Sequence, residues 1–291
     1  MGFREKLLAR QQENKSCVCV GIDPNPSEMP GVTTPAQLLE WGISIFERAR
    51  QFAALMKPQS GFFEGYFSPR NFPNGTEYGM SDGIRVMEQL CWHIAASGFP
   101  LDLDWKRGDV GKTAAAYASA ALGLKLDACT VNCYLGSDSV FEFLKAGLFT
   151  FVLCKTSNLS SVELQDRKFE GGDIVYLDVA RLVKSWDEKF PGQLGIVCGA
   201  TFPAELRNIM AVAPNLPKLI PGIGKQSKEQ KKEDALKGTI DAVLSQGAKK
   251  ASESIFVINS SSEIDFAPDP AAATKALRDQ INALLPAGFY D

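Results

Sequence analysis

Short apolar runs, rich in β-branched residues, alternate along the chain with longer segments whose apolar residues recur at helical spacing. Runs of this length are typical of buried strands, and recurrence at every third or fourth position is typical of helices with one buried face. We predict eight strands, at 17–23, 52–58, 99–105, 127–132, 148–156, 194–201, 217–224 and 254–260. We predict eight helices, at 35–51, 81–97, 110–124, 138–146, 172–189, 203–213, 233–247 and 269–285.

Strict alternation of strands and helices predicts parallel strands that are covered by helices on both faces. Eight such units predict an α/β fold, a single (β/α)8 TIM barrel, which typically takes about 250 residues. We therefore expect one domain over 1–291, with insertions at 66–79 and 158–172. The alternative is an open doubly wound sheet, but the glycine-rich turn GxGxxG that follows its first strand is absent from "GIDPNPSEMPG".

The composition is that of an ordinary globular protein, with 45% hydrophobic and 22% charged residues among 291 and a net charge of -3. The interspersed acids and bases create no field that favours nucleic acid or an anionic membrane. No apolar run reaches the roughly 18 to 20 residues of a membrane span, and the first residues lack the apolar core of a signal peptide. We expect a cytoplasmic protein whose seven cysteines, none in a CxxC pair, are reduced and buried.

The chain has one histidine, His93, in the middle of a predicted helix. Its position excludes Ser-His-Asp and Cys-His catalysis as well as histidine-rich metal sites. Acid and base chemistry must therefore use Lys, Asp or Glu side chains.

Charged side chains recur where the predicted strands end, which is the rim of a (β/α)8 barrel that carries the chemistry. Strands one to three end in aspartate and lysine side chains: Asp23, Lys57, Asp104, Lys106 and, three residues on, Asp109. Strand five ends in "TSN" at 156–158, and strand seven ends in "PGIGKQ". A single residue of this kind is commonly a turn or cap residue. Two lysines and three aspartates on one rim favour a reaction site without a metal.

The segment "DWKRGDVGKT" at 104–113 resembles the DxKxxDIxxT signature of orotidine 5'-phosphate decarboxylases, a family of (β/α)8 barrels that convert orotidine monophosphate to UMP. The resemblance covers nearly the whole chain. "CVGIDPNP" and "KPQSGFFEGY" look like the first two strand ends of the family, and "TVNCYLGSDS", "VLCKTSN", "LGIVCGATFP" and "PGIGKQ" are similar to later strand ends of its longer-chain branch. The resemblance implies a homodimer with shared active sites, which needs no metal or organic cofactor.

The resemblance also implies roles for the signature residues. Lys106 would be the proton donor to C6 of the pyrimidine, Asp104 would lie beside the substrate carboxylate, and Lys57 would orient Asp104 and the ribose hydroxyls. Asp109 and Thr113 match positions that this family contributes to the neighbouring subunit's site. Alternating positive and negative charges would pair each ion with an opposite one, which makes their burial tolerable and keeps both lysines protonated.

Other strand ends match the family's ligand contacts. Asp23 matches a ribose contact, Ser157 a contact to the pyrimidine edge, and Pro221 and Gln226 the pyrimidine and phosphate ends of the seventh loop. We name as candidate phosphate-binding residues Gly222, Gly224, Lys225, Lys228 and Ser262.

The sequence departs from the family pattern at the phosphate end. Ser227 and Lys228 replace the usual glycine pair, Ser262 stands where the phosphate-binding arginine would be, and Glu263 stands where a glycine amide would face the anion. Trp105 is large for its place in the signature, and we expect it to point away from the ligand.

Three functions fit this pattern. The first is a working orotidine monophosphate decarboxylase, favoured by the intact DxKxxD spacing. The second is a relative that keeps the barrel and the dimer but is non-catalytic or binds another ligand. The third is a different phosphate-sugar lyase or isomerase on the same fold, since a fold does not fix a function.

Overall fold

The computed structural model of the chain describes residues 2–223 and 232–291. Its strands are β1 (Val18–Ile22), β2 (Leu55–Pro58), β3 (Asp102–Arg107), β4 (Ala128–Val131), β5 (Phe149–Lys155), β6 (Leu194–Cys198), β7 (Lys218–Ile220) and β8 (Phe256–Ser260). The α-helices of this part of the chain are α1 (Phe3–Asn14), α2 (Pro35–Ala49), α3 (Ser60–Gly65), α4 (Met80–Ala96), α5 (Gly111–Gly123), α6 (Phe141–Lys145), α7 (Val175–Asp187), α8 (Pro203–Val212), α9 (Lys232–Val243), α10 (Ser262–Asp265) and α11 (Pro270–Asn282).

The eight strands are parallel neighbours in the order β2, β1, β8, β7, β6, β5, β4, β3. Two isolated parallel bridges, Met56 with Leu101 and Gln59 with Asp104, join the two ends of this order and bring β2 next to β3. The sheet thereby closes on itself as a nearly complete barrel with helices around it. The predicted (β/α)8 barrel is confirmed, and all eight predicted strands are present. Most are shorter than predicted, whereas β3 begins three residues later and ends two residues later than predicted.

Alternate residues of each strand face the inside of the barrel or the helices outside it, because side chains change sides at every residue of a strand. The inner group includes Cys19, Leu55, Phe151, Leu219 and Val257, all buried. A larger outer group packs the strands against the helices. Since both faces are covered, the strands read as continuous apolar runs in the sequence.

Helix α1, which we did not predict, closes the amino-terminal end of the barrel. Phe3 and Leu7 of this helix are buried against the inner group. The ring of Phe3 lies 4.6 Å from the ring of Phe149 and 5.8 Å from that of Phe151. The opposite, carboxyl-terminal end of the barrel stays open to a ligand.

The predicted helix boundaries are confirmed within a few residues, with two kinds of exception. The helix predicted at 138–146 begins only at Phe141, after a 3-10 turn over Gly136–Ser139. The short helices α3 and α10 follow β2 and β8 directly and were not predicted. Thr34 caps α2, since its hydroxyl accepts the Gln37 N–H at 3.3 Å.

The seven cysteines are all free thiols, and all except the half-buried Cys133 are buried. His93 lies on α4, where its Nε2 is 2.9 Å from Glu47 Oε1, away from the open end of the barrel. Over residues 2–223 and 232–291, every helix is too short or too polar to cross a membrane.

Candidate active site

A cavity of about 720 Å³ opens at the carboxyl ends of the strands. Eight of the predicted site residues line it: Asp23, Lys57, Asp104, Lys106, Ser157, Pro221, Gly222 and Ser262. Thr156 and Asn158 from the predicted strand end "TSN" also line it, together with polar and aromatic side chains that we did not single out: Asn25, Gln59, Phe62, Thr130, Gln165, Asn259, Ser261 and Phe266. The strand ends therefore converge on one site, as the sequence predicts for this fold.

The centre of the site is the carboxylate of Asp104, which contacts both predicted lysines. Lys57 Nζ lies 2.7 Å from Asp104 Oδ2, and Lys106 Nζ contacts Oδ1. The Lys57 side chain is only 3% exposed, whereas that of Lys106 is 44% exposed. Lys57 is thus a fixed part of the wall, and Lys106 presents its ammonium group to the cavity.

These contacts keep the buried groups charged. Burial raises the pKa of Asp104, but the ammonium groups of Lys57 and Lys106 outweigh it and hold that pKa well below its usual range. Burial lowers the pKa of Lys57, but the carboxylates of Asp104 and Asp23 raise it further than burial lowers it. At neutral pH the pair between Lys57 and Asp104 is therefore ionic.

The backbone of β3 is irregular where it carries these residues. Leu103 pairs with Cys129 of β4, but the next pair is Arg107 with Val131, so β3 has two more residues than β4 over this stretch. Such a bulge re-aims side chains. Asp104 and Lys106 line the cavity, while the ring of Trp105 packs on that of Tyr117 in α5 at 5.7 Å, away from the cavity as expected.

A second carboxyl group, on α10, lies beside Asp23. The backbone N–H of Asp23 donates to Asp265 Oδ2 at 3.0 Å. Burial raises the pKa of Asp23 against the opposing effect of Lys57, and burial together with the charge of Asp23 raises that of Asp265 well above its usual range. Asp265 is therefore easier to protonate than an exposed aspartate. It escaped the sequence analysis because α10 was not predicted.

The end of β5 is held from both sides. The Thr201 hydroxyl donates to the carbonyl of Ser157 at 3.0 Å, and Gln165 Oε1 accepts the N–H of Thr156 at 2.9 Å. A Cβ atom at Gly199 would come within 2.6 Å of the Ser157 Cα, so the close approach of β6 to this loop requires glycine. Ser157 is thus placed rigidly at the cavity wall.

Asp109 and Thr113 do not line the cavity of their own chain. Asp109 Oδ1 accepts the N–H of Val110 at 2.8 Å, and Thr113 is exposed in the first turn of α5. This placement leaves both side chains accessible to a second copy of the chain.

The part of the site that we predict to bind phosphate is only partly described. Gly222 and Ser262 line the cavity, and no arginine lines its described part. Glu263 forms an ion pair with Lys232, the first residue of α9, and does not itself line the cavity. The predicted residues Gly224, Lys225, Gln226 and Lys228, together with Ser227, lie outside the described residues.

Within residues 2–223 and 232–291, no group of three or more His, Cys, Asp or Glu side chains is arranged to hold a metal ion.

Asp102 was not predicted as a site residue. It lies two residues before Asp104 on β3, on the same face of the strand. Its side chain is fully buried, and neither carboxyl oxygen has a hydrogen-bond partner among the described residues. Burial raises its pKa to about 7, although Lys57 opposes the shift. In the sequence Asp102 reads as one polar residue within an apolar strand, which gives no signal of its position.

Comparisons with known proteins bear on this site. The sequence profile of the orotidine 5'-phosphate decarboxylase / HUMPS family matches residues 16–277. The orotidine 5'-phosphate decarboxylase of Variovorax paradoxus (strain S110) is 34% identical over 303 residues, which cover 98% of the chain and 100% of that protein. The structure of Leishmania donovani OMP decarboxylase is 33% identical with a TM-score of 0.79, and the match covers 98% of both chains. Leishmania donovani UMP synthase is 34% identical with a TM-score of 0.81, over 98% of this chain and 56% of that one.

The raised pKa of Asp102 makes a prediction about stability and pH. The folded state holds the Asp102 proton up to about pH 7, whereas the unfolded chain releases it near 3.8. Folding is therefore opposed progressively more as the pH rises from about 4 to 7. Asp102→Asn, which cannot ionise, should raise the free energy of unfolding by a few kcal/mol at pH 8, since one pKa unit corresponds to about 1.4 kcal/mol. The gain should be smaller at pH 5.

Urea unfolding at pH 5 and pH 8 measures this difference. Asp241→Asn, at an exposed position on α9, is the control and should change stability by less than about 0.5 kcal/mol at either pH. An equal gain from Asp102→Asn at both pH values would contradict the prediction.

Proposed function

The chain belongs to the orotidine 5'-phosphate decarboxylase / HUMPS family and is a carboxy-lyase that converts orotidine 5'-phosphate to UMP, and we propose that Lys57, Asp104 and Lys106 carry out the reaction. The observation that carries this proposal is the Asp104 carboxylate held between two ammonium groups at the mouth of the barrel. It brings a carboxylate and an exposed ammonium group together on one wall of the cavity.

In the proposed mechanism, the substrate carboxylate lies beside Asp104 and C6 of the pyrimidine faces Lys106. The bond between C6 and the carboxylate breaks, CO2 leaves, and the electron pair stays on C6. The ammonium group of Lys106 stabilises this charge as it develops and then transfers a proton to C6. Lys106 is exposed to the cavity and regains its proton from solvent after UMP leaves. The proposed mechanism uses only these side chains and includes no cofactor.

The remaining side chains bind and orient the nucleotide. Lys57 fixes Asp104 and reaches the ribose, and Asp23 binds a ribose hydroxyl. Ser157 contacts the pyrimidine edge, and Pro221 contacts its face. All four side chains line the same cavity, which supports these assignments. Gly222 and Ser262 line the same cavity, and we assign them to the phosphate group.

We further propose a homodimer in which Asp109 and Thr113 complete the site of the other subunit. Exposed apolar side chains follow the ends of β3 and β4: Val110, Leu135 and Tyr134, which is 77% exposed. Burial of these side chains by a second copy would favour a two-fold pair, which is the commonest assembly.

The net charge of -3 does not favour binding to nucleic acid or to an anionic membrane. This supports a cytoplasmic enzyme that acts on a free nucleotide.

The second candidate is that the chain is a family member whose phosphate site is altered. It is favoured by Ser262, which lines the cavity where the family pattern has an arginine, and by Glu263 beside it. Because binding energy from a remote phosphate helps to close such a site and stabilise its transition state, a weaker phosphate contact would lower turnover. Lys232 partly neutralises Glu263, which reduces the repulsion of an anion.

Lys106→Ala should abolish decarboxylation while leaving the fold intact, because the other ammonium group of the described cavity wall, that of Lys57, is buried and paired with Asp104. We expect a loss of at least about 100-fold in kcat. The measurement is the fall in absorbance when the purified protein is mixed with orotidine 5'-phosphate. Lys145→Ala, on α6 and exposed, is the matched control and should turn over like the parent. Turnover by Lys106→Ala at even about a tenth of the parent rate would remove Lys106 from the role of proton donor.

Mixing inactive Lys106→Ala chains with inactive Asp109→Ala chains should restore activity, because each hybrid dimer would contain one site with both residues. Random exchange of subunits gives about one quarter of the parent activity, since half the dimers are hybrids and each has one intact site. Each variant exchanged with itself is the control. If fully exchanged hybrids remain inactive, the shared-site arrangement is wrong.

Ser262→Arg should raise kcat/KM for orotidine 5'-phosphate by about 10- to 150-fold, because a charge-assisted bond to phosphate is worth roughly 1.5 to 3 kcal/mol. It should change little for orotidine, which lacks the phosphate. Ser262→Gln, similar in length but uncharged, separates charge from size. An unchanged kcat/KM for the phosphorylated substrate would show that the missing arginine causes no defect in phosphate binding.

A further inference from the structure

The hydroxyl group of Thr130 on β4 touches every part of the irregular stretch of β3. It accepts the backbone N–H of Trp105 and that of Lys106, each at 2.9 Å. It donates its own hydrogen to Asp104 Oδ1 at 3.0 Å. A hydroxyl group has two acceptor positions and one donor, so the Thr130 hydroxyl is fully used. The residue is 1% exposed, which leaves little water to replace any of these bonds.

These bonds occur where the ladder between β3 and β4 is interrupted. Between the pairs Leu103 with Cys129 and Arg107 with Val131, three residues of β3 face the single residue Thr130. The hydroxyl group therefore accepts hydrogen bonds from two backbone amides of the bulge, which lie outside the regular strand pairing. Without this hydroxyl group, the backbone amides of Trp105 and Lys106 would lose their hydrogen-bond partner, which is costly.

The bulge also holds Lys106 in an unfavourable backbone conformation. Its φ angle is +49°, in the left-handed region that residues other than glycine, asparagine and aspartate rarely adopt. Such a conformation persists only when the surroundings impose it. The bond from the Lys106 N–H to Thr130 Oγ1 is one such constraint, and it acts on the residue itself.

We propose that Thr130 is a positioning residue, whose hydroxyl group holds residues 104–106 so that the Asp104 carboxylate and the Lys106 ammonium group face the same reacting carbon. The proposal rests on the proposed roles of Asp104 and Lys106. Valine at this position would keep the volume of threonine but could neither accept the two amide hydrogens nor donate to Asp104. A misplacement of about 1 Å at a reacting group is enough to lower a rate by about 100-fold.

A buried threonine that serves only to fill space would behave differently. Its replacement by valine would change stability without changing the chemistry. Thr150 on β5 provides this comparison within the chain, because it is also fully buried and its hydroxyl makes only one long contact, 3.5 Å to the carbonyl of Leu148. It does not line the cavity.

The experiment compares Thr130→Val, Thr130→Ser and the matched control Thr150→Val. Thr130→Val should lower kcat for orotidine 5'-phosphate by about 10- to 100-fold, with KM and the Kd for UMP changed by less than about 3-fold. Thr130→Ser restores the hydroxyl and should keep most of the parent kcat. Thr150→Val should leave kcat at the parent value. If Thr130→Val turns over as fast as Thr150→Val, the proposal is wrong.

A crystal structure of Thr130→Val gives a readout that does not depend on turnover. We expect the φ angle of Lys106 to leave the left-handed region, or its Nζ to leave Asp104. Retention of both would overturn the proposal, whereas absence of turnover in the parent would instead overturn the proposed function. If Thr130→Val does not fold, Thr130→Cys, whose thiol is a weaker donor and acceptor, should have a kcat well below that of Thr130→Ser. Equal kcat values for those two variants would also overturn it.

Discussion

The ion pair between Lys57 and Asp104 supports both the architecture and the chemistry. It spans the seam where β2 meets β3, which the backbone joins only by two isolated bridges, and one of those bridges pairs Gln59 with Asp104 itself. The ammonium and the carboxylate therefore fasten the barrel where its ladder is weakest. Removing Asp104 would leave the ammonium group of Lys57 buried without its ion-pair partner, which typically costs 3 to 5 kcal/mol. The same ion pair therefore helps to close the barrel and holds Asp104 in place in the site.

The surroundings of this pair contain more acid than base. Asp23, Asp102 and Asp265 all have raised pKa values, whereas Asp104 has a lowered one. Both lysines contact Asp104, so the negative charge of the site is concentrated there. The other carboxyl groups are easier to keep protonated, which limits the electrostatic cost of so many acids near an anionic ligand.

The sequence was sufficient to predict the barrel and much of its rim, because these depend on local patterns. Apolar runs mark strands, and Asp23, Lys57, Asp104 and Lys106 follow from where those runs end. Thr130 and Asp102 could not be predicted in this way. The role of Thr130 depends on a register shift between β3 and β4, which is a relation between two strands rather than a property of either. Asp102 differs from a surface aspartate only in what surrounds it, and Asp265 lies on a short helix that has no periodic signal.

The bulge in β3 also connects the site to the outside of the barrel. Arg107 lies over the rings of Trp105 and Tyr117, at 4.8 Å and 5.0 Å, and donates to Glu64 of α3 at 3.0 Å. Trp105 is therefore packed into a column of helix-facing side chains, although both of its chain neighbours face the cavity. Substitutions in this column would shift the peptide units that carry Asp104 and Lys106. During divergence of the family, the outer layer next to β3 should therefore have changed in concert with the residues of the site, and single exchanges between homologues there should show epistasis.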